Sequence, residues 1–161
     1  MDVISPCLSE NPKSALEELE SLIQEQVLLG RFVFLLGHSM GGYYATYLSC
    51  KYQLKAVLIN PVVRGYEIMC EFFGEGYNPH TGRQYTITED DIAFLVSINQ
   101  DKISHPNLIY VLQEKGDEIV DPQEIIEYYG ECRLFLEDGG CHDFEHFDKY
   151  VAIIVAFFLA G

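Results

Sequence analysis

The chain has 161 residues, 48% apolar and 22% charged, which is the balance of a single globular domain rather than a disordered segment. Its formal net charge of -15 repels phosphate backbones and anionic lipid surfaces, which argues against nucleic-acid partners. Five cysteines, an odd number with no pair two residues apart, argue against a disulfide framework or a zinc site.

The first residues lack a basic segment followed by an apolar one, so a cytoplasmic protein without a leader is expected. Val3 and Ile4 read as the end of a strand. Asn11-Pro12 then predicts a helix start, with Asn as N-cap and Pro at the first helical position. Leu16, Leu19, Ile23 and Val27 follow at helical spacing and predict one buried stripe, ending near Gly30.

Residues 32–36 are a short run of bulky apolar side chains, the pattern of a strand buried on both faces. The glycine-rich segment 37–42 breaks that run. A helix over about 43–51 and a second buried strand over 56–60, stopped by Pro61, come next. Residues 62–88 are rich in Gly, Asn, Pro and aromatics. They read as a cap-like insertion, with a short helix near 66–73. Thr88 is the expected N-cap of a helix that buries Ile92, Leu95 and Val96.

A third strand is predicted over 108–112, a helix over 123–129 and a fourth strand over 133–136. The run 151–160 is far shorter than the roughly 20 residues that span a bilayer, so it reads as part of a closing helix, 147–159. Strands alternating with helices predict an α/β fold, with a mostly parallel sheet and helices on both faces. Residues 1–161 are expected to form one domain.

Gly37-His38-Ser39-Met40-Gly41 is a G-x-S-x-G segment between a predicted buried strand and a helix. Glycines allow the sharp turn that lifts the Ser39 hydroxyl above the sheet, at a helix N-terminus that favours developing negative charge. The Met40 backbone N–H would then point at an oxyanion. A serine nucleophile needs a base, and the base needs an orienting acid. Asp117 follows the third predicted strand and His142 the fourth. Glu118 and Asp121 are rivals to Asp117. Asp138 is expected to shape its turn, and His38 to support the turn at Ser39. His80 and His105 read as solvated. His142 and His146 lie four residues apart, but no third metal ligand is evident. Tyr43, Tyr66 and Phe73 are candidates to line an acyl pocket.

The segment 37–48, Gly-His-Ser-Met-Gly-Gly-Tyr-Tyr-Ala-Thr-Tyr-Leu, resembles the nucleophile segment of the YqiA/YcfP-type bacterial esterases of the α/β-hydrolase superfamily. Asn60-Pro61-Val62-Val63-Arg64, residues 78–85, Gly116-Asp117-Glu118 and residues 139–144 match that family in the same order. The resemblance implies an α/β-hydrolase fold and a carboxylesterase, or a thioesterase, acting on small acyl esters. It implies Ser39, Asp117 and His142 as the triad, with no metal and no organic cofactor. Set against the family pattern, the first strand and its His-Gly-Phe loop are not found here. The expected fold is therefore N-terminally shortened, and a homodimer becomes less surprising. A non-catalytic or weakly active binding protein of the same fold is the alternative reading.

Overall fold

The computed structural model describes residues 2–79 and 81–160. In chain order the elements are α1 (Pro12–Leu28), β1 (Leu35–His38), α2 (Met40–Tyr52), β2 (Ala56–Ile59), α3 (Gly65–Cys70), β3 (Gly74–Asn78), β4 (Arg83–Ile87), α4 (Glu89–Ile98), β5 (Ile109–Glu114), α5 (Pro122–Tyr129), β6 (Arg133–Glu137) and α6 (Phe147–Leu159). They form two compact units. One holds residues 33–63 and 100–160, the other residues 2–32 and 64–99.

The first unit is built on a four-stranded sheet in the order β1-β2-β5-β6, and every pair is parallel. β2 and β5 are buried along their whole length, because helices cover both faces of the sheet. Side chains alternate between the faces. Val57, Ile59, Tyr110 and Leu112 point to one face and form a cluster with Phe144 and with Tyr150, Ile154, Phe157 and Phe158 around α6. Ala56, Leu58, Ile109 and Val111 point to the other, where α2 and α5 pack. There the Thr46 and Tyr129 hydroxyls meet at 2.8 Å, joining α2 to α5 in the buried layer.

β1 departs from the expected strand. Its pairing starts at Leu35 opposite Ala56 and runs on to His38 opposite Ile59. It is an edge strand, so Leu36 is half exposed, and Phe32 lies outside it at 92% exposure. The helix after Ser39 also begins earlier than expected, at Met40.

In the second unit, Asn11 caps α1 by accepting from the Ser14 N–H at 3.0 Å. Thr88 and Asp91 form a reciprocal capping box at the start of α4. The Asn11 side chain donates to Asp91 at 2.6 Å, so the two helix starts are tied together. Leu16 and Ile23 are buried as expected, but Val27 and Val96 are exposed. Val3 and Ile4 form no strand and are also exposed. Residues 74–87 hold an unexpected antiparallel hairpin, β3 with β4. Glu10 braces its turn, accepting from Asn78 at 3.1 Å and from the Thr81 hydroxyl and pairing with Arg83 at 3.6 Å. The expectation for His80 lies outside the described residues. No helix among the described residues is long and apolar enough to cross a membrane.

Candidate active site

Ser39 sits in the one-residue turn between β1 and α2, at φ 53 and ψ -122. Left-handed backbone is rare for a residue with a side chain, and it persists only where surrounding contacts fix it. Those contacts are present. The Ser39 N–H donates to the Ile59 carbonyl at 3.1 Å. The Ser39 carbonyl accepts from Gly42, Val62 and Tyr43 at 2.9, 3.2 and 3.3 Å. The turn also depends on missing side chains, since a Cβ on Gly42 would stand 2.6 Å from the Cβ of Pro61. The Met40 and Gly41 amides open α2, where an N–H has no acceptor within its own helix.

Asp117 and His142 reach Ser39 from the ends of β5 and β6. Beyond the strands the ladder continues, with Lys115 N–H donating to Glu137 at 2.9 Å and Gly116 N–H to Gly139 at 2.8 Å. The two loops touch closely, and a Cβ on Gly116 would stand 2.4 Å from the Gly140 carbonyl oxygen. Gly139 and Gly140 both take φ 77, the left-handed backbone that glycine adopts without strain.

This packing brings the three side chains into line. His142 Nε2 lies 2.9 Å from Ser39 Oγ, and His142 Nδ1 lies 3.0 Å from each oxygen of Asp117. An ionised carboxylate only accepts hydrogen bonds, so Nδ1 carries the proton and Nε2 is left as an acceptor for the Ser39 hydroxyl. Asp117 is itself held. One oxygen accepts from the Ile119 and Val120 N–H groups at 2.9 Å each, and the other from Gln113 Nε2 at 3.3 Å. Burial pushes its carboxyl pKa up, but the Val120 and Ile119 N–H groups and His142 outweigh burial and leave it below the usual value.

Within this unit, the other candidate residues are not members of this line. Asp121 caps α5, accepting from Gln123 N–H at 2.9 Å, and Asp138 pairs with Lys115 at 2.6 Å. Glu118 accepts the His142 N–H at 3.0 Å. His38 Nε2 donates to the His142 carbonyl at 2.7 Å. His146 precedes α6 and is exposed, and His105 is half-buried. Tyr43 is buried in α2, with its ring edge-on to Tyr44. Tyr66 and Phe73 belong to the other unit. Beside the edge strand, a cavity of about 290 Å³ is lined by Leu36, His38, Ile59, Asp143, Phe144 and Phe147. Tyr43, the aromatic pocket candidate in the same unit, does not line it. Buried Asn60, Gln113 and Glu114 were missed as supports of the site. Their signal was polarity at the end of apolar runs, just where strands give way to loops.

The sequence profile of the family described as "Uncharacterised protein family (UPF0227)" matches residues 1–159. The chain belongs to UPF0227. Among solved structures, this UPF0227 protein resembles Est1E from Butyrivibrio proteoclasticus, with a TM-score of 0.67, 16% identity, and 92% of this chain and 68% of that one covered. It also resembles a monoacylglycerol lipase from Paleococcus ferrophilus, with a TM-score of 0.61, 15% identity, and 94% and 76% covered. A third likeness is to an alpha-beta serine hydrolase homologue from Coxiella burnetii, with a TM-score of 0.58, 14% identity, and 98% and 64% covered. The UPF0227 chain therefore has the α/β-hydrolase fold. At these identities the likeness is one of fold, and chemistry has to be argued from the site.

Proposed function

We propose that this UPF0227 protein is a serine carboxylesterase with Ser39 as nucleophile, His142 as base and Asp117 as orienting acid. The observation that carries this reading is the unbroken hydrogen-bonded line from Ser39 Oγ through both ring nitrogens of His142 to Asp117. It is the arrangement that lets a serine hydroxyl lose a proton while it attacks.

In this mechanism Ser39 Oγ bonds to the acyl carbonyl carbon as its proton passes to His142 Nε2. The carbonyl oxygen becomes an oxyanion facing the Met40 N–H at the start of α2. Asp117 steadies the imidazolium through Nδ1. The tetrahedral adduct then collapses. Its C–O bond to the leaving group breaks, and His142 gives the alcohol its proton. Water attacks the resulting acyl-enzyme, with His142 as base again, and frees the acid and Ser39. A thioester would follow the same path with a thiol leaving group. The likeness to a monoacylglycerol lipase and to an alpha-beta serine hydrolase homologue is in keeping with this reading.

The test is hydrolysis of short p-nitrophenyl esters by the wild type and by Ser39→Ala, with fluorophosphonate labelling of both. Burst release of nitrophenol and labelling confined to the wild type are expected. Equal rates in the two proteins, or a folded wild type that never labels at Ser39, overturn the reading.

A further inference from the structure

Asn60 lies at the end of β2, fully buried, at φ 41. A non-glycine residue in left-handed backbone is a place to look for function, and Asn tolerates it better than most. Every polar atom of Asn60 except its carbonyl has a named partner. Its N–H donates to Leu112 at 2.9 Å. Its side-chain Oδ1 accepts from the Glu114 N–H at 2.9 Å. Its Nδ2 donates to the carbonyls of Cys141 and His142, at 2.9 Å each. These partners fix the amide orientation, because a backbone N–H can only donate and a carbonyl can only accept. One side chain thus joins the ends of β2 and β5 to the loop that carries His142.

The rest of that loop is held in the same way. Glu114 is fully buried, and its Oε2 accepts from Cys141 N–H at 2.9 Å and Glu145 N–H at 3.2 Å. With Glu118 on the His142 N–H and His38 on its carbonyl, both backbone polar groups of His142 are tied down. Gly140 leaves room for this, since a Cβ there would stand 2.1 Å from the Glu114 carboxylate.

We propose that Asn60 is a positioning residue for His142, holding the imidazole where it meets Ser39 and Asp117 through the two hydrogen bonds from its Nδ2. The proposal rests on the hydrolase reading for its effect on turnover. Its structural content stands apart from that reading.

Asn60→Asp isolates the claim. It keeps the shape and the acceptor for Glu114 N–H, but it replaces the two Nδ2 donors by at most the single O–H of a protonated carboxyl, so at least one of the two carbonyl bonds is lost. The variant and the wild type are compared for folding by circular dichroism, for p-nitrophenyl ester kinetics, and for the low-field proton resonance of His142 Nδ1–H. In folded Asn60→Asp, kcat falls about 10²-fold with KM little changed, because the base is misplaced while substrate contacts survive. The low-field resonance broadens or vanishes. Unchanged kcat with an unchanged resonance overturns the proposal, as does a rise in KM alone.

If Asn60→Asp does not fold, the wild type decides. Its Asn60 side-chain amide protons should exchange slowly with water and show cross-peaks to residues 141 and 142, and fast exchange without cross-peaks overturns the proposal. If the wild type shows no Ser39-dependent turnover, the hydrolase reading falls, and the resonance and exchange measurements alone judge Asn60.

Discussion

A Cβ built on Gly37 would stand 2.2 Å from the carbonyl oxygen of Gly41. The last turn of β1 and the first turn of α2 are therefore in backbone contact, and the strained Ser39 lies between them. Gly37 acts here through close approach rather than through positive φ, whereas a Cβ on Gly41 would meet open space.

Gly37→Ala should thus do more damage than an added methyl usually does. The methyl meets backbone that cannot swing away, so a loss of about 1–3 kcal/mol in folding stability is expected. On the proposed mechanism, Ser39-dependent ester hydrolysis should drop by about 10²-fold, since Ser39 moves relative to His142. Urea unfolding and initial rates check the two effects. A variant with native stability and native rate would show that the turn has slack.

Asp117 makes a prediction about acid. Its folded pKa is lowered, so its charged form stabilises the fold. That contribution is complete above the unfolded carboxyl value of about 3.9, and it is lost as pH falls through the still lower folded value. The stability gap between wild type and Asp117→Asn should narrow as pH falls below about 3.9. Chemical unfolding across that range measures it, and a gap that widens on acidification would contradict the sign.

The same substitution bears on turnover. In Asp117→Asn the side-chain oxygen can keep the Ile119 and Val120 N–H groups, which turns the new amide nitrogen toward His142 Nδ1. The ring must then carry its proton on Nε2, where it cannot accept from Ser39. A fall in kcat of about 10⁴-fold is expected at neutral pH, with KM little affected. Steady-state kinetics of Asp117→Asn test this, and a loss under about tenfold would argue that Asp117 does not set the tautomer.

Most of the sheet could be read from the chain because β2, β5 and β6 are short apolar runs bounded by turns. Periodicity marked them without fixing their register. Residues 32–36 show the limit, since pairing with β2 begins only at Leu35 and Phe32 is left in solvent. The hairpin of β3 and β4 was hidden for another reason. Its strands bury little, and close fit rather than an apolar face shapes it, with the Tyr85 ring filling the space above Gly76. At the site, Ser39, Asp117 and His142 stood out because turn chemistry and strand ends flag them one by one. Asn60, Gln113 and Glu114 did not, because a buried polar residue is explained only by partners far along the chain. The Nδ2 partners of Asn60 lie 81 and 82 residues away.

Asp91 carries a prediction for the other unit. It accepts from Thr88 N–H at 2.9 Å, from the Thr88 hydroxyl at 2.7 Å and from the Asn11 amide at 2.6 Å. Burial pushes its carboxyl pKa up, yet the bonds from Thr88 and Asn11 prevail and hold it low. Asp91→Ala removes the reciprocal half of a helix cap and leaves the Asn11 amide without its acceptor. Together these should cost about 1–3 kcal/mol. The loss should be concentrated where α1 and α4 begin, because Asp91 joins only those two helix starts. Amide hydrogen exchange gives the site-by-site reading, with faster exchange expected at Ser14 and in the first turn of α4. Protection at Ile109–Glu114 in the sheet should change little. Uniform loss of protection in both units would instead mean that they unfold as one, and that the tie between Asn11 and Asp91 supports the whole chain.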